Sequence, residues 1–454
     1  MLVSSSLLAF AFTSALVAQV PVPVTPAPTP TPAPVTQPPA GGQESPATQD
    51  PAPTPGPAPA AGAGERQGRG GRRGAGGRGQ DGQGPGGAQG EGAFEFPEFT
   101  PVAAPPLAGL QGKQYFWFTM YPNWLVQYDP ATDTVAKKVA LKGMFWSTHL
   151  THDRKRIVCV TEGQNTLEVV DLATGTVTSE HLVTEEGFIL RVREWRECPG
   201  GVHWLVRTDR VKKEIDRYSF EAAQWLLYDS ANKKVVRKVR KLPDALDRGA
   251  SLSTDGTHWT SQDNDGNLLF LDARTCKETG KLDLKTPRYF GAGAIRLSGN
   301  DLLDRRDPTR ALMLYTSTDP VETRRTTWGT VEIDLANKKV LDVQEWGPSQ
   351  NSFGLRIAHK KKIGVAMGGG FGGRGGDDER TRMVMIDLTN GQKICEALEE
   401  FRPRRSLVAV SPEADKVYVG VAGSDFEVFD GSLKRLKTVE LEGEIVGRIH
   451  VVDG

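Results

Sequence analysis

Four cysteines are all this 454-residue chain holds, at positions 159, 198, 276 and 395. None stands in C-x-x-C spacing, which excludes a zinc ribbon, a thioredoxin-type redox motif and a c-type haem attachment site. A chain this long does not need a disulfide framework to build a core, so isolated thiols are expected. Net charge is lacking too: 56 basic residues balance 56 acidic ones. That balance offers nucleic acid no electrostatic footprint. No G-x-S-x-G elbow, Walker loop or H-E-x-x-H helix is present. No N-x-S/T glycosylation acceptor occurs, and no apolar run after the first twenty positions or so could span a bilayer.

What is present begins with an apolar run from Leu7 to Val17, followed by small residues at Ala15 and Ala18. This reads as a signal peptide over residues 1–20, although no Lys or Arg precedes it; an uncleaved anchor is the alternative. Only in that case is contact with a membrane expected. The location implied is extracytoplasmic: secreted, periplasmic or on the cell surface. Residues 21–112 form a linker. Its first part, to about Pro59, is built from Pro, Ala and Thr and favours an extended polyproline geometry. From Gly62 to Gly92 the composition shifts to Gly, Gln and Arg and is too poor in apolar residues to fold alone. Arg66, Arg69, Arg72, Arg73 and Arg78 make this an RGG-like stretch, read as a solubilising linker or a contact for an anionic surface polymer. Phe94, Phe96 and Phe99 end the low complexity and are expected to pin the stalk to the folded part.

Residues 113–454 carry a repeat. A short apolar strand ends in Asp, a turn follows, and a second strand rich in Val and Lys returns. The copies end at Asp129, Asp171, Asp229, Asp272, Asp334, Asp387 and Asp430. These lie about 42 to 62 residues apart, the period of a propeller blade. The strands are apolar on both faces, as sheets sandwiched between others require. Each Asp can bond its own backbone two residues on, and Asn or Gly late in the turn tolerates positive φ. Two further strands precede each copy, except that the first copy lacks an innermost one. The strand from Ile445 to Val452 is left over at the C-terminus, so it is predicted to complete blade one. The fold expected is therefore all-β: a seven-bladed β-propeller of four-stranded blades, closed by its C-terminal strand and preceded by a disordered stalk.

The stretch from Lys416 to Asp430 (Lys-Val-Tyr-Val-Gly-Val-Ala-Gly-Ser-Asp-Phe-Glu-Val-Phe-Asp) resembles the YVTN-type propeller repeat, as does Arg156 to Val177. Asp263-Asn-Asp-Gly266 leading to Asp272 is similar to WD-type repeats, without their Trp-Asp dipeptide. The resemblance implies architecture and leaves function open, because propellers host unrelated activities.

Candidate sites are few. His149, His359 and His450 lie on or beside predicted inner strands and are read as polar lining of the central channel, or as a channel acid–base site. Asp263, Asp265 and Asp272 partly fit a calcium loop, but Asp272 is also the repeat's own turn residue. The loop Gly368–Gly376, followed by Asp377 and Asp378, joins two strands; a phosphate loop would open a helix. Phe371, Arg374, Asp377 and Asp378 are thus read as partner contacts on a surface loop. Long insertions in blades three (about 208–223) and six (about 367–382) connect second to third strands, which makes that face the expected binding face. No cofactor and no resident metal are expected, and the chain is expected to be a monomer. The leading functional expectation is an exported, non-catalytic binding or scaffold module on a flexible stalk, whose partner is a protein or an extracellular polymer. The alternative is a propeller enzyme, a lactonase-like hydrolase or quinoprotein-like oxidoreductase, with its site at the central channel. A third possibility leaves the binding to the stalk, with the propeller as an inert head.

Overall fold

The computed structural model describes residues 94–105, 113–239, 241–247, 249–286, 293–297, 309–321, 326–348, 352–358, 360–369, 381–399, 407–421 and 423–453. Among them the strands pair into seven antiparallel sheets of four strands each. The innermost strands are Ile445–Asp453 in blade one, Ser147–Leu150 in two, Ile189–Glu197 in three and Ser251–Leu252 in four. Ile295–Leu297, Ser352–Ile357 and Val408–Val410 serve blades five, six and seven. The only α-helix among the described residues is the single turn Asp244–Asp247.

The seven repeat carboxylates do what their position implies. Each accepts backbone N–H bonds from its own turn: Ala131 to Asp129 at 2.9 Å, Thr174 to Asp171 at 2.8 Å, Asn232 to Asp229 at 3.0 Å. Thr275, Asn337, Thr389 and Ser432 repeat this with Asp272, Asp334, Asp387 and Asp430 at 2.7 to 2.8 Å. Glycine takes the left-handed position as expected in blades two and six, at Gly175 (φ 61) and Gly391 (φ 70), but asparagine does not. In blades three and five the position is taken by Lys233 (φ 52) and Lys338 (φ 53), each just after the expected Asn. Asn232 and Asn337 instead donate Nδ2–H to their Asp at 2.7 and 2.8 Å. A side-chain bond, not backbone freedom, is what asparagine supplies here.

Each of the seven buried clusters draws side chains from two adjacent blades. Val158, Leu167 and Val169 of blade two meet Trp195, Trp204 and Tyr228 of blade three, for example. Leu314 and Trp328 of blade five meet Leu355 and Ile386 of blade six. The series closes where blade seven meets blade one: Phe116, Phe118 and Tyr128 pack with Tyr418, Phe426 and Val428. Each such fully buried side chain contributes about 1.5–3 kcal/mol. The C-terminal strand pairs with Gln114–Met120 from Asp453↔Gln114 to Ile445↔Met120, so it is blade one's innermost strand as the leftover strand predicted. On the outer side of the same seam, Tyr418 Oη donates to Asp133 Oδ1 at 2.6 Å, and the ammonium groups of Lys416 and Lys437 reach the other oxygen at 2.8 and 2.7 Å.

Removing residues 444–454 therefore strips blade one of its inner strand and exposes the edge of Gln114–Met120. The truncated chain is expected to lose most of its thermal stability or its solubility. A melting midpoint equal to that of the full chain would refute the closure.

Candidate functional site

In an antiparallel blade the first-to-second and third-to-fourth turns emerge at one end of the sheet. On that face a cleft of about 490 Å³ opens between blades two and three. The inner strand of blade three ends in Glu197, whose carboxylate accepts the His152 backbone N–H at 2.5 Å and lies 4.0 Å from Arg156 Nη2. Burial, with Asp153 nearby adding to it, pushes the Glu197 carboxyl up to about 7. His152 Nε2 lies 3.3 Å from the Thr254 carbonyl oxygen in the corresponding turn of blade four.

On the outer side, Ser179 Oγ is hydrogen-bonded to His181 Nε2 at 3.0 Å, and Tyr228 Oη lies 3.4 Å from Nδ1. The His181 ring stands edge-on to Trp204, with centroids 4.7 Å apart. Burial, aided by the Lys233 charge, lowers this imidazole to about 4, so it is neutral at physiological pH.

A wall of the cleft comes from outside the blades. Residues 94–105 run along the same face as a strap. Phe96 stacks on Trp259 with centroids 5.9 Å apart, and Phe94 and Phe99 pack against the same core. The Phe96 and Ala104 backbone N–H groups donate to Arg274 O at 2.9 Å and Thr254 O at 2.7 Å. Val102 of the strap lines the cleft. Two glycines explain how the strap lies so close. A methyl group at Gly200 would sit 2.7 Å from Phe99 Cβ, and one at Gly256 would sit 2.7 Å from the Val102 carbonyl oxygen.

The sequence-predicted residues are distributed as follows. His149 and His450 both stand on inner strands. His450 is buried and bonded to Thr148 Oγ1 at 3.0 Å, while His149 packs against Trp195 with centroids 5.4 Å apart. His359, Phe371, Arg374, Asp377 and Asp378 lie outside the described residues. Asp263, Asp265 and Asp272 do not converge. Asp263 receives the Asn267 backbone N–H at 2.8 Å and Lys281 Nζ at 3.1 Å. Asp272 caps its own turn at the far end of Leu268–Asp272, about 13 Å along an extended strand. Among the described residues no group of three His, Cys, Asp or Glu side chains could hold a metal ion. The cysteines are unbridged, with Cys159, Cys198 and Cys276 buried.

The blade-three insertion extends the second and third strands into a long hairpin, His203–Lys213 paired with Tyr218–Asp229, on the face opposite the cleft. Sequence reasoning singled out that face and missed Glu197 and His181. One signal could have led to the cleft. The first-to-second turns of blades two, four and seven share a pattern in which Thr151, Ser253 and Ser411 donate to Asp153, Asp255 and Asp415 at 2.5 to 2.6 Å. Blade three departs from it with Cys198-Pro-Gly-Gly201. A position where a repeat abandons its own turn chemistry marks a local requirement that the fold does not impose.

No family model matches the chain, and no curated protein matches it. Solved structures similar to it include a functionally unknown protein from Desulfotomaculum acetoxidans (12% identity, 75% of this chain and 99% of that one, TM-score 0.42). Dihydro-heme d1 dehydrogenase NirN is similar at 12% identity over 78% of this chain and 77% of that one, with a TM-score of 0.42. BamB from Moraxella catarrhalis is similar at 11% identity over 77% and 93%, with a TM-score of 0.36.

Two outcomes follow from this geometry. The Glu197 carboxyl holds its proton above the ordinary carboxylate value, so the folded state binds more protons than the unfolded state between about pH 4.5 and pH 7. Stability contributed below that window is lost as pH rises through it. Glu197→Gln keeps an acceptor for His152 and should match the parent near pH 4 but exceed it at pH 8 by up to about 3 kcal/mol in denaturant unfolding. A constant difference at both pH values would refute this. Gly256→Ala adds both a left-handed alanine and a clash with Val102. It should speed proteolytic cleavage between Phe94 and Ala104 relative to Gly187→Ala, which is equally left-handed but faces open space. Equal cleavage of the two variants would show that the strap is not held at Gly256.

Proposed function

We propose that this chain is an exported, non-catalytic binding or scaffold propeller of the YVTN-like kind, presented on its Pro/Gly-rich stalk. The partner is a segment of a protein or an extracellular polymer, and the cleft between blades two and three receives it. One observation carries the reading. Ser179, His181 and Tyr228 have the connectivity of a nucleophile, a base and an orienting group, but the base is poorly suited to the role. General-base catalysis must form an imidazolium, normally stabilised by a carboxylate on the far ring nitrogen. Here that nitrogen faces a phenol, burial opposes the charge, and Lys233 opposes it further. Other polar groups are engaged in bonds of the fold: Ser230 Oγ donates to Val202 O at 2.7 Å, and Asp153 accepts Thr151 Oγ1 at 2.6 Å and the Lys155 N–H at 3.0 Å. The extracytoplasmic setting draws on the apolar run at residues 7–17. No helix among the described residues is long and apolar enough to cross a membrane.

The enzyme reading keeps one point in its favour: Glu197, at the end of an inner strand, exchanges its proton near pH 7. A fluorophosphonate probe separates the two for serine chemistry. No labelling of Ser179 is expected in the full chain. Labelling that disappears in His181→Ala would overturn the non-catalytic reading. Surface retention of the full chain against one starting at Phe94 then tells whether propeller or stalk does the binding; equal retention is expected.

A further inference from the structure

The blades share one irregularity, and blade five adds another. In every blade the third and fourth strands slip register once, close to their turn, as between Leu227 and Tyr228 or between Phe270 and Leu271. Blade five alone, among the described residues, slips a second time. Trp328 pairs with Gly347 and Gly329 with Glu345, so Trp346 has no partner across the ladder. A β-bulge of this kind bends its strand and re-aims a side chain. Gly329 makes room for it, since a Cβ there would lie 1.8 Å from the Gln344 carbonyl oxygen. A departure from the repeat at one place marks a requirement that the blade itself does not impose.

The bulge borders a cavity of about 500 Å³. It lies between the outermost strand of blade five, Lys339–Pro348, and the outer two strands of blade six, Thr381–Asp387 and Lys393–Glu399. That volume is in the range of small-molecule sites. In a regular strand Glu345 and Trp346 would face opposite sides; here both line the same cavity. Trp346 stands edge-to-face with Trp328, with ring centroids 5.0 Å apart. The Trp346 side chain is half-buried, and its Nε1–H meets no acceptor among the described residues. Such an unmet donor costs free energy that a ligand oxygen would recover.

The polar lining is mixed in kind and balanced in charge. Glu396 receives Arg382 Nε at 3.1 Å and Lys393 Nζ at 2.6 Å. Glu345 carries the remaining carboxylate, so the two acidic and two basic side chains of the cavity cancel. Asn390 Oδ1 accepts the Gln392 backbone N–H at 2.9 Å, and Gln344 Nε2 donates to Asp342 at 2.5 Å. The Asn390 Nδ2–H, the Gln344 Oε1 and the whole Gln392 side-chain amide are left without partners among the described residues. Unmet donors and unmet acceptors thus stand together beside two indole rings, with no net charge to favour a simple anion or cation. A hydroxyl group both donates and accepts. The apolar C–H face of a sugar ring packs on an indole as other apolar surface does.

We propose that the cavity between blades five and six binds a neutral saccharide, with a sugar ring against Trp346 and hydroxyls on Glu345, Asn390 and Gln392. The site is on other blades than the cleft and stands or falls apart from the partner proposed there.

The test is saturation-transfer NMR on the full chain with cellotriose, maltotriose, mannotriose and the N-acetylglucosamine trimer, at concentrations that detect millimolar dissociation constants. At least one sugar should receive saturation, strongest at its ring C–H protons. Trp346→Ala should abolish the transfer and Trp346→Phe should keep part of it. Glu345→Gln should weaken binding by about tenfold, the effect of losing one bond to a charged group. No transfer to any of these sugars overturns the proposal, as does transfer that survives Trp346→Ala. Should Trp346→Ala not fold, the 15N-labelled indole N–H signals of the unaltered protein decide. The signal that is missing from Trp346→Phe should move when the sugar is added; a signal that stays in place overturns the proposal.

Discussion

Everything in this fold depends on the seam where blade seven meets blade one. Each blade is apolar on both faces, so each needs two neighbours, and an open row would leave two uncovered faces at its ends. The last strand of the chain pairs with the first, across more than three hundred residues of sequence. Behind it Phe116, Phe118, Tyr128, Tyr418 and Phe426 interlock, several of them edge-to-face. Asp133 adds an anchor by accepting from Tyr418 and pairing with Lys416 and Lys437, a carboxylate held below its usual range by those partners despite its burial. Closing a loop that long costs chain entropy, but the cost grows only with the logarithm of length. A single well-packed seam can offset it.

The ring, once closed, determines where chemistry can sit. Outer strands are largely solvated. Inner strands are forced into proximity with inner strands far away in sequence, as where His450 of blade one bonds Thr148 of blade two. The turns at the cleft face do the same at short range. Glu197 of blade three is capped by the backbone of blade two, and His152 of blade two reaches a carbonyl of blade four. The strap joins this arrangement by way of Thr254, whose carbonyl oxygen accepts from Ala104 and lies beside His152. Residues 94–105, which the sequence reading counted with the linker, thus contribute to the wall of the cleft through Val102.

Much of the architecture was legible because it is repeated. Seven aspartates at blade period, each with an apolar strand before it, gave blade number and order, and the leftover strand gave the closure. The finer chemistry was less legible. Asparagine at the turn was expected for its tolerance of positive φ, whereas Lys233 and Lys338 take that conformation and the asparagines bond to the aspartate. The sequence pointed to the face of the long second-to-third insertions, one of which is an extended hairpin, while the cleft lies at the opposite end of the blades and left no motif along the chain.

By itself, then, the sequence determined local periodicity, the aspartate cap of each turn and the identity of the closing strand, because these follow from alternation, side-chain-to-backbone bonding and strand counting. The aromatic residues that pin the strap, Phe94 and Phe96 above all, could also be picked out by their contrast with the glycine-rich stretch before them. Only the tertiary structure decided that Glu197 is buried beside His152, that the His181 ring nitrogens meet Ser179 and Tyr228 and that His450 of blade one bonds Thr148 of blade two. Those properties depend on distance and solvation between groups tens to hundreds of residues apart, and no pattern along the chain encodes either quantity.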